Sequence, residues 1–274
     1  MIVFGAIAPH GSLAVAEACT DEELELAAAT RAGFDELSRR CAAAAPDVVL
    51  VVTPHSVHVQ GAMAVISAAR MEGAVSGTDG RMITLACEID RELSELVLEA
   101  LQAAGVPAVG ASFGGNRLDE AVMPMDWGVL IPLWHLGGRG EPPLPAVVVS
   151  PARDLPAQAH VDAGRGLADA AARSEKRVAI VASADHGHAH SEAGPYGYDA
   201  ASPEYDALVR RTVAENQLGD LLGIDPDLVE RAAADSWWQL LMLHGALGED
   251  WASELHSYEA PTYYGMLCAS FSRA

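Results

Sequence analysis

The sequence predicts an α/β protein, a single domain whose central, largely parallel or mixed sheet is flanked by helices on both faces. Short apolar runs rich in valine, isoleucine and alanine alternate with segments of helical spacing, as in parallel sheets covered on both sides. Half of the 274 residues are hydrophobic, enough for one sizeable core. Because no repeat or low-complexity linker divides the chain, we expect one domain over residues 1–274.

Five apolar runs are predicted to form buried strands. They are Ile2 to Ala8, Val48 to Val52, Ala62 to Ile66, Ala146 to Val149 and Val178 to Ala182. Apolar residues at helical spacing predict four helices: Asp21 to Ala45, Asp90 to Ala104, Val161 to Arg173 and a long one, Asp227 to Leu247. Two further segments are predicted to be loops, an exposed one at Leu136 to Pro145 and a functional one at His186 to Pro203.

Charge and composition argue against several classes of protein. The net charge of −21 repels phosphate backbones, so we expect no nucleic-acid partner. No apolar stretch approaches the roughly 20 residues of a spanning helix, so we expect no membrane partner. The N-terminus has no signal-peptide pattern. The four cysteines are far apart and form no CxxC pair, which predicts reduced thiols and a cytoplasmic protein.

Three histidines follow predicted strands. His10 follows the first strand, His55 the second and His188 the fifth. Ligands of open α/β sheets bind beyond the carboxyl ends of the strands, where these imidazoles would meet. One loop histidine alone is more often solvated or locally hydrogen-bonded, but three at equivalent strand ends favour a shared site.

Two neutral imidazoles and one carboxylate, with positions left open, form the metal site of non-haem Fe(II) oxygenases. The carboxylate has two candidates, Asp235 and Glu230. Asp235 lies among apolar residues, where an unpaired acid would be costly to bury and a cation would offset that cost. An ordinary helix-surface acid is the competing interpretation, and spacing alone does not rank the two.

At these residues the sequence resembles the class III extradiol ring-cleavage dioxygenases, the superfamily of the protocatechuate 4,5-dioxygenase beta subunit. Pro9-His10-Gly11-Ser12 and Pro54-His55 are similar to the segments with the two metal histidines. The segment 183–188, Ser-Ala-Asp-His-Gly-His, is similar to the one that carries the acid/base histidine, which falls on His188. Residues 236–248 and the Tyr-rich tail, 258–271, resemble the closing helix and strand, so the resemblance covers nearly the whole chain.

The resemblance implies an enzyme that opens the ring of a catecholic substrate next to the diol with dioxygen. Its cofactor would be Fe(II), with Zn or Cu as alternatives, held by His10, His55 and Asp235. His188 would move protons, and a neutral imidazole is suited to that role. Asp126 is a second candidate catalytic residue, because it lies in the stretch that matches an active-site Asp-His-Gly segment. The resemblance also suggests a homodimer.

Two departures from the family pattern leave other functions open. Trp127 stands where many ring-cleaving members carry a second active-site histidine. The third ligand falls on Ala233 or Asp235, depending on one small gap. The related Memo-type proteins share the two leading histidines, use a cysteine near the position of Asp235 and have no assured ring-cleaving role. The alternatives are therefore a Memo-type metal-binding protein, and a metal hydrolase or non-catalytic subunit of the same fold.

Overall fold

A computed structural model describes residues 1–273 and contains eleven strands in two sheets. In chain order they are β1 (Ile2–Ala8), β2 (Val48–Val52), β3 (Met63–Ile66), β4 (Arg70–Ser76), β5 (Met82–Glu88), β6 (Ala108–Ala111), β7 (Val122–Pro124), β8 (Ala146–Ser150), β9 (Val178–Ser183), β10 (Trp251–Glu259) and β11 (Met266–Arg273). The large sheet has the order β10-β11-β1-β9-β2-β8-β3-β6, and β5-β4-β7 form the small one.

The four central strands of the large sheet, β1, β9, β2 and β8, run parallel to one another. Antiparallel neighbours flank this block, with β11 beside β1 and β3 beside β8. The carboxyl ends of the four parallel strands therefore lie along one edge, where ligands of such sheets bind.

In the described part of the chain, seven α-helices cover the large sheet: α1 (Ala28–Ala44), α2 (Arg91–Ala103), α3 (Trp127–His135), α4 (Ala157–Arg173), α5 (Ala201–Ala214), α6 (Pro226–Arg231) and α7 (Trp237–Leu247). One core lies between the sheet and α2, α4, α5, α6 and α7; a second lies between the opposite face and α1, α3 and the small sheet. Alternate residues of the central strands belong to different cores, which explains why these strands are apolar throughout. The predicted fold class is confirmed, and the sheet is mixed.

The prediction of one long helix over Asp227 to Leu247 is wrong. Helix α6 ends at Arg231 and α7 begins at Trp237. Between them Ala233 adopts a left-handed conformation, with φ of 48°. The carbonyl of Ala232 accepts hydrogen bonds from the His188 amide and the Ser202 hydroxyl instead of continuing the helix. Tertiary contacts thus override the local helical spacing, and residue 235 lies in a connection.

The predicted start of the first helix, at Asp21, is also wrong. Thr20 and Glu23 exchange side-chain and backbone hydrogen bonds as a capping box, but the turn that they cap is a short 3-10 segment, Glu23–Glu25. Leu26 is extended and Ala27 has a φ of 45°, so α1 starts only at Ala28. The acidic residues after Asp21 therefore belong to this single turn and not to α1.

The small sheet, α3 and α5 were not predicted. Strands β4 and β5 alternate between buried and exposed residues, the pattern of a sheet with one wet face. The predicted loop at Leu136 to Pro145 connects α3 to β8. The predicted loop at His186 to Pro203 ends at Ala200, because its last three residues already belong to α5. No helix in residues 1–273 combines the length and apolar character needed to cross a membrane.

Candidate metal centre

His10 lies two residues beyond β1 and is 2% exposed. Its Nδ1 is 3.0 Å from the hydroxyl oxygen of Ser183, the last residue of β9. That hydroxyl already donates its proton to the carbonyl of Gly128, so its oxygen accepts from the His10 Nδ1–H. This tautomer leaves the lone pair of His10 on Nε2, as in metal-binding histidines whose other nitrogen is hydrogen-bonded.

His55 reaches the same point from β2. Its amide donates to the Thr53 hydroxyl, and its carbonyl accepts from the hydroxyl of Ser150 at the end of β8. The ring packs against Trp127, with centroids 4.6 Å apart. Its Nε2 lies 3.2 Å from the Nε2 of His10. Two strand ends therefore hold two imidazole nitrogens side by side.

Asp235 supplies the carboxylate of the group. Its Oδ2 is 3.5 Å from the Nε2 of His10 and 3.6 Å from that of His55. Ligands about 2.1 Å from one cation are separated by roughly 3.0 to 3.4 Å, close to these values. The other oxygen, Oδ1, is buried and has no hydrogen-bond partner within residues 1–273. The donor set and this unpartnered oxygen fit a divalent metal.

Among the described residues, His10, His55 and Asp235 form the group suited to a metal, with ligand atoms all within 4.8 Å of one another. The alternative third ligand, Glu230, is exposed on α6 and lies outside this group. The break between α6 and α7 accounts for the difference, because it places Asp235 in the connection while Glu230 stays on the helix.

Without a metal, the cluster retains a proton. Burial alone would lower the pKa of His10, but the carboxylates of Asp185 and Asp235 outweigh it and raise that pKa to about 9. Burial and the charge on His10 lower the pKa of His55 to about 4. Burial would raise the pKa of Asp235, yet the hydrogen bond and charge of His10 keep it below its usual value. Without a metal, the centre thus holds one buried positive charge, on His10, beside carboxylates. A metal ion could replace that charge.

Asp185 also belongs to the site, although it was not among the predicted residues. Its Oδ1 accepts the His10 amide at 3.0 Å, and its Oδ2 lies 3.5 Å from the His10 Nε2. Burial raises the pKa of this carboxyl. Its signal was present, since an acid two residues after the buried strand β9 points to the same edge as the histidines.

His188 lies on the loop after β9, beside this cluster. Its Nδ1 donates to the carbonyl of His186 at 2.7 Å, which leaves the Nε2 lone pair available. The ring stacks on Tyr264, with centroids 5.5 Å apart and planes at 21°. His188 and the three residues of the metal group line one cavity.

Three consecutive amides of the His188 loop are held in place. The Gly187 amide donates to the buried Oδ1 of Asp206, the His188 amide to the carbonyl of Ala232, and the Ala189 amide to the Ser202 hydroxyl. Because the Ser202 hydroxyl donates to the same Ala232 carbonyl, the loop is tied to the connection that carries Asp235. The positions of the acid/base candidate and of the carboxylate are therefore coupled.

Asp126, the second candidate catalytic residue, caps helix α3. Its Oδ1 accepts the Gly128 amide at 2.7 Å, an N-cap contact. Burial raises the pKa of its carboxyl, and its Oδ2 has no partner within the described part of the chain. Trp127, which is half exposed, lines the cavity next to His55. A catalytic role for Asp126 remains a prediction.

The cavity has a volume of about 960 Å³. Residues from strand ends, the α6–α7 connection and the small sheet line it. Its aromatic lining consists of Trp127, Tyr196, Trp237, Trp238, Tyr263 and Tyr264. Such walls with a few convergent polar groups at one end are typical of small-molecule sites.

Comparison with known proteins identifies a family and two similar proteins. The family model of the catalytic LigB subunit of aromatic ring-opening dioxygenase matches residues 5–268. The chain is similar to Protein CA_C1420 of Clostridium acetobutylicum, with 23% identity over 253 residues, 92% of this chain and 53% of that protein. It thus spans about half the length of this curated relative.

A solved structure shares the fold. It is the uncharacterized protein JW3007 of Escherichia coli K12, with a TM-score of 0.61, 16% sequence identity and coverage of 98% of this chain and 99% of that one. The resemblance inferred from the motifs is confirmed by the family match over nearly the whole sequence. The chain therefore belongs to the family of the catalytic LigB subunit of aromatic ring-opening dioxygenase.

Proposed function

We propose that this protein is an Fe(II)-dependent dioxygenase that cleaves the ring of a catecholic substrate next to its diol. One observation carries the proposal: two imidazole nitrogens and a carboxylate oxygen converge in an aromatic-lined cavity that His188 also faces. Family membership supports the reaction class.

His10, His55 and Asp235 would hold the metal. Two histidines and one carboxylate with open positions are a ligand set that suits Fe(II), whereas Cu(I) prefers sets that contain thiolates. When bound, the iron would supply the site at which the diol and dioxygen are activated, and it would make the coordinated hydroxyl more acidic. Asp185 would orient His10 through the amide hydrogen bond described above.

The other residues would bind the ring and move protons. The lone pair on the Nε2 of His188 would accept a proton from a substrate hydroxyl and return it later in the reaction. Trp127 and Tyr264 would pack against the planar ring of the substrate, since aromatic faces stack favourably. The four cysteines are buried thiols without disulfides, and we propose a cytoplasmic role in the catabolism of aromatic compounds.

A second candidate function is a Memo-type metal-binding protein without ring cleavage. Trp127 favours it, because an indole next to His55 replaces the histidine that many ring-cleaving members carry. The carboxylate of Asp235 favours the dioxygenase instead, because the Memo-type third ligand is a thiolate. All four cysteines lie outside the metal group.

The experiment is an anaerobic Fe(II) reconstitution followed by addition of catechols and oxygen. We expect one oxygen molecule consumed per catechol and a product with the mass of the catechol plus two oxygen atoms. His188→Phe should keep its iron and lose turnover. Stoichiometric iron without oxygen uptake on any catechol would favour the second candidate, and zinc with ester hydrolysis would support a hydrolase.

A further inference from the structure

Gln239 is a polar residue in the buried face of α7. Its side chain is fully buried. Seven of the eight buried residues of this helix are hydrophobic, and Gln239 is the eighth. Its side-chain oxygen, Oε1, has no hydrogen-bond partner among the described residues. A buried amide with an unpaired acceptor lowers stability, so packing alone does not account for a glutamine at this position.

The side-chain nitrogen of Gln239 joins two segments of the metal centre. Nε2 donates one proton to the carbonyl of Asp235 at 2.6 Å and the other to the carbonyl of Ser183 at 3.1 Å. Both partners are carbonyl oxygens, which only accept, so the atom between them must be the nitrogen of the amide. One NH2 group therefore bridges the residue with the carboxylate ligand and the residue whose hydroxyl orients His10.

The two ends of this bridge are held in different ways. Ser183 is the last residue of β9 and is paired with Ala8 in the parallel ladder of the large sheet. Asp235 lies outside both neighbouring helices, in the connection that contains the left-handed Ala233. No helical or sheet ladder fixes the backbone there. Gln239 thus ties a connecting segment to the end of a sheet strand.

These contacts close a ring around part of the metal group. The Nδ1 of His10 bonds to the Ser183 hydroxyl. Gln239 connects Ser183 to the backbone of Asp235. The carboxylate of Asp235 then returns to within 3.5 Å of the His10 Nε2. The remaining ligand, His55, is supported by residues at the ends of β2 and β8 and lies outside this ring. The ring therefore constrains two of the three proposed ligands.

We propose that Gln239 is a positioning residue of the metal centre, which keeps the Asp235 carboxylate within coordination reach of a cation bound by His10. This inference rests on the metal centre of the proposed function, but not on ring cleavage. Gln239 itself is outside the metal group and does not line the cavity. Because it acts through the backbone of Asp235, its replacement should weaken metal binding without removing a ligand.

The test measures the affinity for Zn²⁺ by competition with a chelator, so it needs no catalytic activity. Gln239→Met has a side chain of similar length without an N–H donor. We expect it to bind zinc about tenfold more weakly, as changes to the partners behind metal ligands commonly do. Gln239→Leu, a shorter side chain without donors, should show the same loss.

Thr212→Val is the matched control. The Thr212 hydroxyl is buried on α5, donates to the carbonyl of Val209 and does not line the cavity. The substitution also removes a buried hydrogen bond and should leave zinc affinity unchanged. Thermal unfolding of each variant checks that the fold is retained.

Double-mutant cycles show whether Gln239 acts through Asp235. In an Asp235→Ala background there is no carboxylate to position, so adding Gln239→Met should change zinc affinity less than about twofold. In a His55→Ala background the ring of contacts remains, and the same change should still weaken binding about tenfold. A merely structural role would lower the affinity by the same factor in both backgrounds, and that result would overturn the inference.

The bridge can also be measured in the unaltered chain. A crystal structure of zinc-loaded wild type should retain both hydrogen bonds of the Gln239 Nε2, to the carbonyls of Ser183 and Asp235. Loss of the bond to Asp235 once zinc is bound would overturn the inference, even if no variant of Gln239 folds.

The outcomes separate this inference from the proposed function. Equal zinc affinities of wild type and Gln239→Met would overturn the positioning role and leave the dioxygenase intact. Weaker zinc binding by Gln239→Met, in a protein that consumes no oxygen with any catechol, would overturn the dioxygenase and keep the positioning role. If Asp235→Ala binds zinc as tightly as wild type, the metal group is wrong, and both proposals fail with it.

Discussion

Ser183→Ala is the most informative change outside the metal ligands themselves. The Ser183 hydroxyl accepts the Nδ1–H of His10 at 3.0 Å and donates to the carbonyl of Gly128. The substitution leaves a donor without its acceptor on a ring that is only 2% exposed. It also removes the contact that fixes the tautomer and orientation of that ring.

The magnitude follows from these two losses. A buried donor left unsatisfied costs about 1–3 kcal/mol, which we expect as reduced stability of the metal-free protein. Loss of a hydrogen-bond partner behind a metal-binding histidine lowers metal affinity about 10- to 100-fold, or roughly 1.4–2.7 kcal/mol. The ligand atoms themselves remain, so binding should be weakened and not abolished.

The assay is a competition titration of Fe(II) or Zn²⁺ against a chelator of known affinity. Ser270→Ala is the matched control, because Ser270 is buried on β11 and its hydroxyl lies 2.8 Å from the Nε2 of His256, away from the centre. Ser270→Ala should change metal affinity less than about twofold, while it should lower stability by an amount comparable to that for Ser183→Ala. Equal affinities of wild type and folded Ser183→Ala would refute the role of His10 as a metal ligand oriented by Ser183.

Four further predictions concern the same site. Because metal must displace the proton of His10, whose pKa is raised to about 9, metal affinity should rise with pH up to about 9 and then level off; a flat profile between pH 6.5 and 8.5 would contradict this. The stability of the metal-free protein should change in the opposite sense, with the contribution of His10 complete below its unfolded pKa of 6.5 and lost as pH rises through about 9. Trp127→His should keep iron and raise catechol turnover, measured by oxygen uptake at equal iron content, and unchanged turnover would count against the lost-histidine interpretation. Asp206→Asn should lower turnover per bound iron, with iron stoichiometry still one, because its carboxylate holds the Gly187 amide; unaltered turnover per iron would show that the loop does not need this contact.

The edge of the sheet at which the histidines meet could be predicted from the sequence. Their meeting point depends only weakly on the order of the strands. His10, His55 and His188 each follow a buried parallel strand, and any arrangement with these strands adjacent brings them together. The strand limits themselves were nearly correct, since uniformly apolar runs are strong signals when both faces are buried.

The position of Asp235 could not be derived from helical spacing. The run of alanines before it favours a continuous helix, and the left-handed Ala233 is imposed by hydrogen bonds to residues 188 and 202, remote in sequence. The same limit applies to the cation–π contact of Arg153 with Trp238, which joins the segment after β8 to a helix some eighty residues later. Long-range contacts of single side chains leave no periodic trace.

The small sheet is a different case, because its signal was visible. In β5, Ile83, Leu85 and Cys87 recur at every second position, and all three are buried while their neighbours in the strand are exposed. Uniformly apolar runs are the pattern of a sheet buried on both faces, and strands with one exposed face do not match it. These strands are therefore predicted only when the period of two is considered as well.

The proposed metal centre depends most directly on one cation being shared by His10, His55 and Asp235. A crystal structure of iron-loaded protein with anomalous data at the iron edge tests it. We predict one peak per chain, about 2.1 Å from the Nε2 atoms of both histidines and from a carboxylate oxygen of Asp235. A peak bound by other residues, or none at this position in iron-loaded protein, would contradict the proposal.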